Sequence, residues 1–98
     1  MGLDKEAVVE RLATIFQALG NETRLKALML IKDTNRPLHI KAVSNALQIE
    51  YAALYRHIKM LQRSGLVETF EVGRSQVLGL KKKEVLDQLL QITQKLSE

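Results

Sequence analysis

Cysteine is missing from the 98-residue chain altogether, and that one gap removes disulfides, thiolate metal sites, redox switching and cysteine nucleophiles together. Histidine occurs only twice, as His39 and His57, too far apart in sequence to suggest a local metal pair, so no metal site is expected. No apolar run approaches the roughly 18 residues that a bilayer crossing needs, and no membrane span is expected. The opening MGLDKEAVVE carries charges where a signal peptide needs its apolar stretch, and Glu6 stands where a myristoylation motif needs Ser or Thr. The reading is a cytoplasmic protein. There is one proline, no phosphate-binding glycine loop, no internal repeat and no low-complexity linker. Ser44, Ser64 and Ser75 lack a base partner in a pocket motif and the carboxylates are scattered, so neither an enzyme constellation nor a cofactor is expected.

What is present suits one globular unit. Hydrophobic residues make up 46% of the chain, and about 100 residues is enough for one core but not for two. The net charge of +4 is unevenly spread. Residues 1–50 carry seven basic and six acidic side chains, residues 51–83 seven and two, and residues 84–98 one and three. The excess therefore lies in the middle segment, which favours a polyanionic partner at that surface.

Periodicity orders the elements. Residues 3–19 place Val8, Leu12, Ile15, Phe16 and Leu19 at helical spacing, with acids near the start where the helix dipole favours them. Gly20 ends this helix and Asn21 caps a second, ETRLKALMLIKDT, in which Leu25, Leu28, Met29 and Lys32 continue a helical repeat. Asn35, Arg36 and Pro37 break the chain, and after a short LHI piece Ile40, Val43 and Leu47 mark one face of a third helix. Residues 51–63 form a fourth, closed by Ser64 and Gly65 in the manner of a glycine cap. LVETFEV and SQVLGL then alternate apolar and polar residues around Gly73 and Arg74, which predicts a β-hairpin with a basic tip. The final segment sets Val85, Leu86, Leu89, Leu90, Ile92 and Leu96 on a broad apolar stripe. Four helices, a hairpin and a last helix, in that order, is a winged helix-turn-helix arrangement: mainly α with a small β-hairpin.

The fourth helix is two-faced. At about 100° per residue from Ala52, Leu54, Ile58 and Leu61 cluster at about 180° to 240°, a face a core can bury. Ala52, Tyr55, Arg56, Lys59 and Arg63 fall within about 60° of zero. Such a stripe is either a solvated face or a reading face. Small and aromatic residues beside an arginine in the first turns suit approach to a major groove, where alanine can touch thymine methyls and arginine can grip guanine; the later cations suit phosphates.

At this point the chain resembles a known family. NETRLKALMLI followed by LHIKAVSNALQIEYAALYRHIKMLQRSGLVE is similar to the ArsR-type winged-helix transcriptional regulators, in which a D-P-T-R-L-x-I-L opening precedes a helix-turn-helix closing in S-R-H-L-x-x-L-x-x-A-G-L-V. Asn21, Thr23, Arg24 and Leu25 match the opening; Tyr55, Arg56, His57, Ile58, Leu61, Ser64, Gly65, Leu66 and Val67 match the close, with Tyr55 where serine is usual. The similarity covers about residues 8–80. It implies a helix-turn-helix over about 38–64, a wing over about 66–80, and a homodimer held by the first helix and a C-terminal helix over 82–97. The recognition helices would enter successive major grooves about 34 Å apart on a palindromic double-stranded site. The dimer residues expected on this basis are Val8, Leu12, Ile15, Val85, Leu89, Ile92 and Leu96. Family members that sense metals use cysteines on the third helix or carboxylate and histidine clusters on the last. Here the third has no cysteine and the last has Glu84 and Asp87 but no histidine.

The expected DNA contacts are Tyr51, Ala52, Tyr55, Arg56, Lys59, Arg63, and Arg74, Ser75 and Gln76 on the wing. Three of them have a plainer reading beside the functional one: Tyr51 packs on the third helix, Arg56 takes an acidic neighbour in a surface ion pair of small value, and Arg74 is simply exposed at a turn. His57, at about 140° on the wheel, is read as structural or phosphate-neighbouring, and His39 as a weak cap, a phosphate neighbour or a plain surface residue. Three functions follow in order: a dimeric sequence-specific repressor, an architectural DNA-binding protein of low specificity, and a winged-helix protein-interaction module.

Overall fold

The computed structural model describes residues 4–98. Helix α1 spans Lys5–Leu19, α2 Glu22–Thr34, α3 Ile40–Leu47, α4 Tyr51–Arg63 and α5 Lys83–Gln94, followed by a 3₁₀ turn at Lys95–Ser97. Strands β2 (Val67–Val72) and β3 (Ser75–Leu80) form the hairpin, and the short LHI piece supplies a strand, β1 (Leu38–His39), that pairs antiparallel with β3. The sheet is therefore three-stranded in the order β1-β3-β2. Two residues are too short for periodicity to reveal a strand. No helix among the described residues is long and apolar enough to cross a membrane.

Local chemistry sets the ends. The Asp4 carboxylate accepts from the Glu6 amide at 3.0 Å to cap α1, and the Asn21 side chain accepts from the Arg24 amide at 3.0 Å to cap α2. The hairpin closes through Gly73 and Arg74, with Val72 opposite Ser75 and Gly73 at φ +63, the sign that a tight two-residue turn needs at its first position.

The core joins one face of each element. Leu28, Ile40, Val43, Leu54, Ile58, Leu61, Val67 and Leu78 are fully buried, with Ala18, Leu19, Ala27, Ile31 and Leu86 around them. Along α2 the buried line runs Arg24, Ala27, Leu28, Ile31, while Met29 is exposed; the inner face is therefore rotated from the repeat expected through Met29, with Arg24 on it. Only the end of α1 enters the core: Ala18 and Leu19 are buried, Ile15 packs against them, and Leu12 and Phe16 face outward. Helix α5 is attached through Leu86, with Leu89 and Leu90 behind it, through a Lys32–Asp87 ion pair at 3.3 Å and through the Lys83 ammonium, which donates to Asn35.

Candidate nucleic-acid interface

Both helices of the turn unit end in the same way. At the end of α3, Gln48 adopts φ +57, its amide donates to Asn45 and the Ile49 amide reaches back to the Ser44 carbonyl at 3.1 Å. At the end of α4, Gly65 adopts φ +83, its amide donates to Gln62 at 3.0 Å and the Leu66 amide donates to Leu61 at 3.1 Å. Each is a Schellman-type closure that satisfies orphan carbonyls. Hydroxyls reinforce them: Ser44 Oγ donates to the Ile49 carbonyl at 2.6 Å and Ser64 Oγ to the Leu61 carbonyl at 2.7 Å. These two serines, without catalytic context in the sequence, fix where α4 begins and ends.

A buried arginine sets how α4 sits. Arg24, 9% exposed, donates from Nε to the Ala18 carbonyl at 2.6 Å and from Nη2 to the Gln17 carbonyl at 3.1 Å, both in the last turn of α1, where the helix dipole favours a cation. Its Nη1 lies 3.0 Å from His57 Nδ1 on α4. A guanidinium can only donate, so Nδ1 accepts and the imidazole proton sits on Nε2. Desolvation, then the charges of Arg24 and Arg56, lower the His57 pKa from its ordinary 6.5. Of the two roles expected for His57, the structural one is what the geometry displays. In the sequence Arg24 stands out only as part of a family motif; its further signal is an arginine on the side of α2 that also carries Leu28 and Ile31.

The opposite face of α4 is open. Leu54, Ile58 and Leu61 are buried, while Ala52, Arg56, Lys59 and Arg63 are exposed. Tyr51, 44% exposed, stacks on Tyr55 with ring centroids 6.2 Å apart and planes at 16°, and Lys59 Nζ lies 5.0 Å from the Tyr55 centroid on the next turn. Tyr51 thus packs along its own helix. Arg63 Nε donates to the Lys59 carbonyl at 3.4 Å. Ion pairs among the described residues join Lys26 to Glu22 and Lys32 to Asp33 and Asp87. Arg56 takes no acidic partner among them.

Helix and wing meet across an open cleft of about 650 Å³. Tyr51, Tyr55, Arg74, Ser75 and Gln76 line it together with His39 and Lys41, and no carboxylate among the described residues does. Ala52, Arg56, Lys59 and Arg63 lie outside it on the same helix. Lys41 carries no motif that singles it out in the sequence, although Ile40, Val43 and Leu47 on the other side of α3 place it outward. His39 precedes α3 but its side chain makes no cap bond, so the capping role is set aside.

The terminal helices leave apolar surface uncovered. Val8, Ile15 and Leu89 are half-buried, whereas Leu12, Val85 (60%), Ile92 (63%) and Leu96 (86%) are exposed. Val9 and Phe16 are exposed as well; neither is among the expected dimer residues, and α1 thereby offers Val9, Leu12 and Phe16 along one line. Among the described residues no group of three or more His, Asp or Glu could hold a metal ion.

The family model for bacterial regulatory proteins of the arsR family matches residues 21–69, half of the chain. No curated protein matches by sequence. The fold is that of a homodimeric winged helix-turn-helix DNA-binding domain, Mb0332 of Mycobacterium bovis, described as a possible ArsR-family transcriptional regulator: TM-score 0.84, 24% identity, covering 97% of this chain and 88% of that one. HlyU of Vibrio cholerae N16961 is similar at TM-score 0.73 and 26% identity over 90% of this chain and 94% of its own. NolR of Sinorhizobium fredii shares the fold at TM-score 0.77 and 21% identity, over 96% and 94%. With its helix-turn-helix inside the matched segment and its wing behind it, the chain belongs to the arsR family of DNA-binding transcription regulators.

Proposed function

We propose that the protein is a homodimeric, sequence-specific repressor that occupies a palindromic double-stranded DNA site and responds to no thiolate-bound metal. The observation that carries this is the division of α4: Leu54, Ile58 and Leu61 fully buried on one side, and on the other Ala52, Tyr55, Arg56, Lys59 and Arg63, none of whose cations takes part in an ion pair among the described residues. Arg56 and Tyr55 read bases, Lys59 and Arg63 hold phosphates, and Arg74, Ser75 and Gln76 meet the flanking backbone. The exposed line on α1, and the stripe of Val85, Leu89 and Ile92 on α5 continued by Leu96 in the 3₁₀ turn, support self-association, since apolar side chains exposed on successive turns of two helices form surface that a second copy would remove from water.

The test is selection of bound sites from a random DNA pool with the purified chain, followed by sedimentation of the complex. A palindrome with half-sites about one helical turn apart and two chains per site is the expected result. A pool that returns no motif would favour an architectural DNA-binding protein, and negligible binding at low salt a protein-interaction module. Placed across a promoter, the selected site should lower transcription on addition of the protein.

A further inference from the structure

The outward face of α4 is not uniformly cationic. Its first turns carry three uncharged residues side by side, Tyr51, Ala52 and Tyr55, of which Tyr51 is 44% exposed and Ala52 is exposed too. Tyr55 is held by its neighbours: Tyr51 stacks over it at 6.2 Å and Lys59 sits 5.0 Å from its centroid. Tyr55 is half-buried and lines the cleft beside the wing, so the ring is fixed in place with part of its surface left to offer a ligand. The ring spacing of 6.2 Å matches the rise of about 6 Å between residues four apart on a helix, so the tyrosine pair follows from the backbone and needs no ligand to form.

An apolar patch on a reading face needs an apolar counterpart. Among the donors and acceptors of the major groove floor, the C5-methyl group of thymine is the protruding apolar feature. We infer that the Tyr51–Ala52–Tyr55 patch reads thymine methyl groups, making Tyr55 a specificity-determining residue by its ring edge rather than its hydroxyl. This rests on the proposed base-reading role of α4 and names what that helix reads. The usual serine at this position of the family would offer a hydroxyl and almost no apolar edge, so the substitution changes the kind of base feature that is recognised.

The experiment uses the full chain and its selected site, with each thymine replaced in turn by deoxyuridine, which lacks only the methyl group. At one or more positions in each half-site the replacement should weaken binding about fourfold, the factor that corresponds to withdrawing one methyl group from an apolar environment. Tyr55→Phe should keep that difference, and Tyr55→Ser should erase it while still binding DNA. The inference is overturned if every deoxyuridine site binds as the thymine site does, if Tyr55→Ser retains the difference, or if Tyr55→Phe loses affinity equally on both. In those cases a preferred site still exists and base reading by α4 stands. A pool that yields no preferred site overturns both readings together.

Discussion

Replacing Arg24 with methionine leaves the carbonyls of Gln17 and Ala18 and the Nδ1 of His57 without their donor. Bonds from a charged donor to buried acceptors contribute on the order of 1.5–3 kcal/mol each in the best cases, less when water can reach the site. Urea unfolding of Arg24→Met should therefore show a loss of roughly 2–4 kcal/mol, and Arg24→Lys should recover only part of it, because a point charge cannot fork toward three acceptors. His57 supplies a pH dependence of definite sign. Its folded-state pKa lies below the ordinary 6.5, so the unfolded chain binds the proton more readily. The stability it contributes is complete above pH 6.5 and is lost as the pH falls through the lower folded value. Unfolding measured between pH 7.5 and 5.5 should show this decline, and His57→Gln should flatten it; a slope unchanged by that substitution would assign the dependence to other groups. The wheel position of His57, beside the core face, is legible in the sequence. Its partner is not, because Arg24 lies 33 positions away and only the packing of α2 against α4 brings the two together.

Element boundaries are the most legible feature, since Gly65 and Gly73 stand where the chain needs positive φ. At Gly65 nothing lies within 4 Å of an added Cβ, so Gly65→Ala tests conformation without a clash. It should cost about 1 kcal/mol, the left-handed penalty of an alanine, measured by chemical denaturation. Gln48 is the counter-case, a left-handed residue that is not glycine. Gln48→Gly should be neutral or stabilising by up to about 1 kcal/mol, because relief of strain outweighs the entropy that glycine loses. Periodicity finds the extent of α3 but not this closure, because no glycine marks it and the Ser44 hydroxyl that pins it acts over five residues. It also misses β1, whose two residues carry no alternation but anchor the root of the wing. The cleft between α4 and wing is largely legible: the sequence singles out Tyr51, Tyr55, Arg74, Ser75 and Gln76 and offers a phosphate-neighbouring role for His39 among other readings, and tertiary packing adds Lys41.

At the scale of the molecule, the proposed DNA contacts predict a salt signature. Lys59→Ala and Arg63→Ala should each lower affinity across all sequences, and each should flatten the slope of log affinity against log salt by about one, the value for a single phosphate no longer neutralised. Arg56→Ala should instead cost about 1–3 kcal/mol at the preferred site and far less on random DNA; equal losses on both would count against base reading. The dimer we propose predicts that Ile92→Glu lowers the sedimentation mass and weakens binding to the full palindrome more than to a half-site. The apolar repeat of α5 is plain in the sequence, but Phe16 falls on the same helical face as core residues there, since a wheel cannot say which part of a wide stripe another chain would cover. Arg24 then takes on a second meaning. In such a dimer α1 belongs to the subunit interface and α4 to the reading head, and the Arg24 guanidinium fastens one to the other beside the packing of Ala18 and Leu19 in the shared core. It works as the pin of a pair of calipers: loosening it should broaden the range of half-site spacings the protein accepts before it weakens the grip of either head.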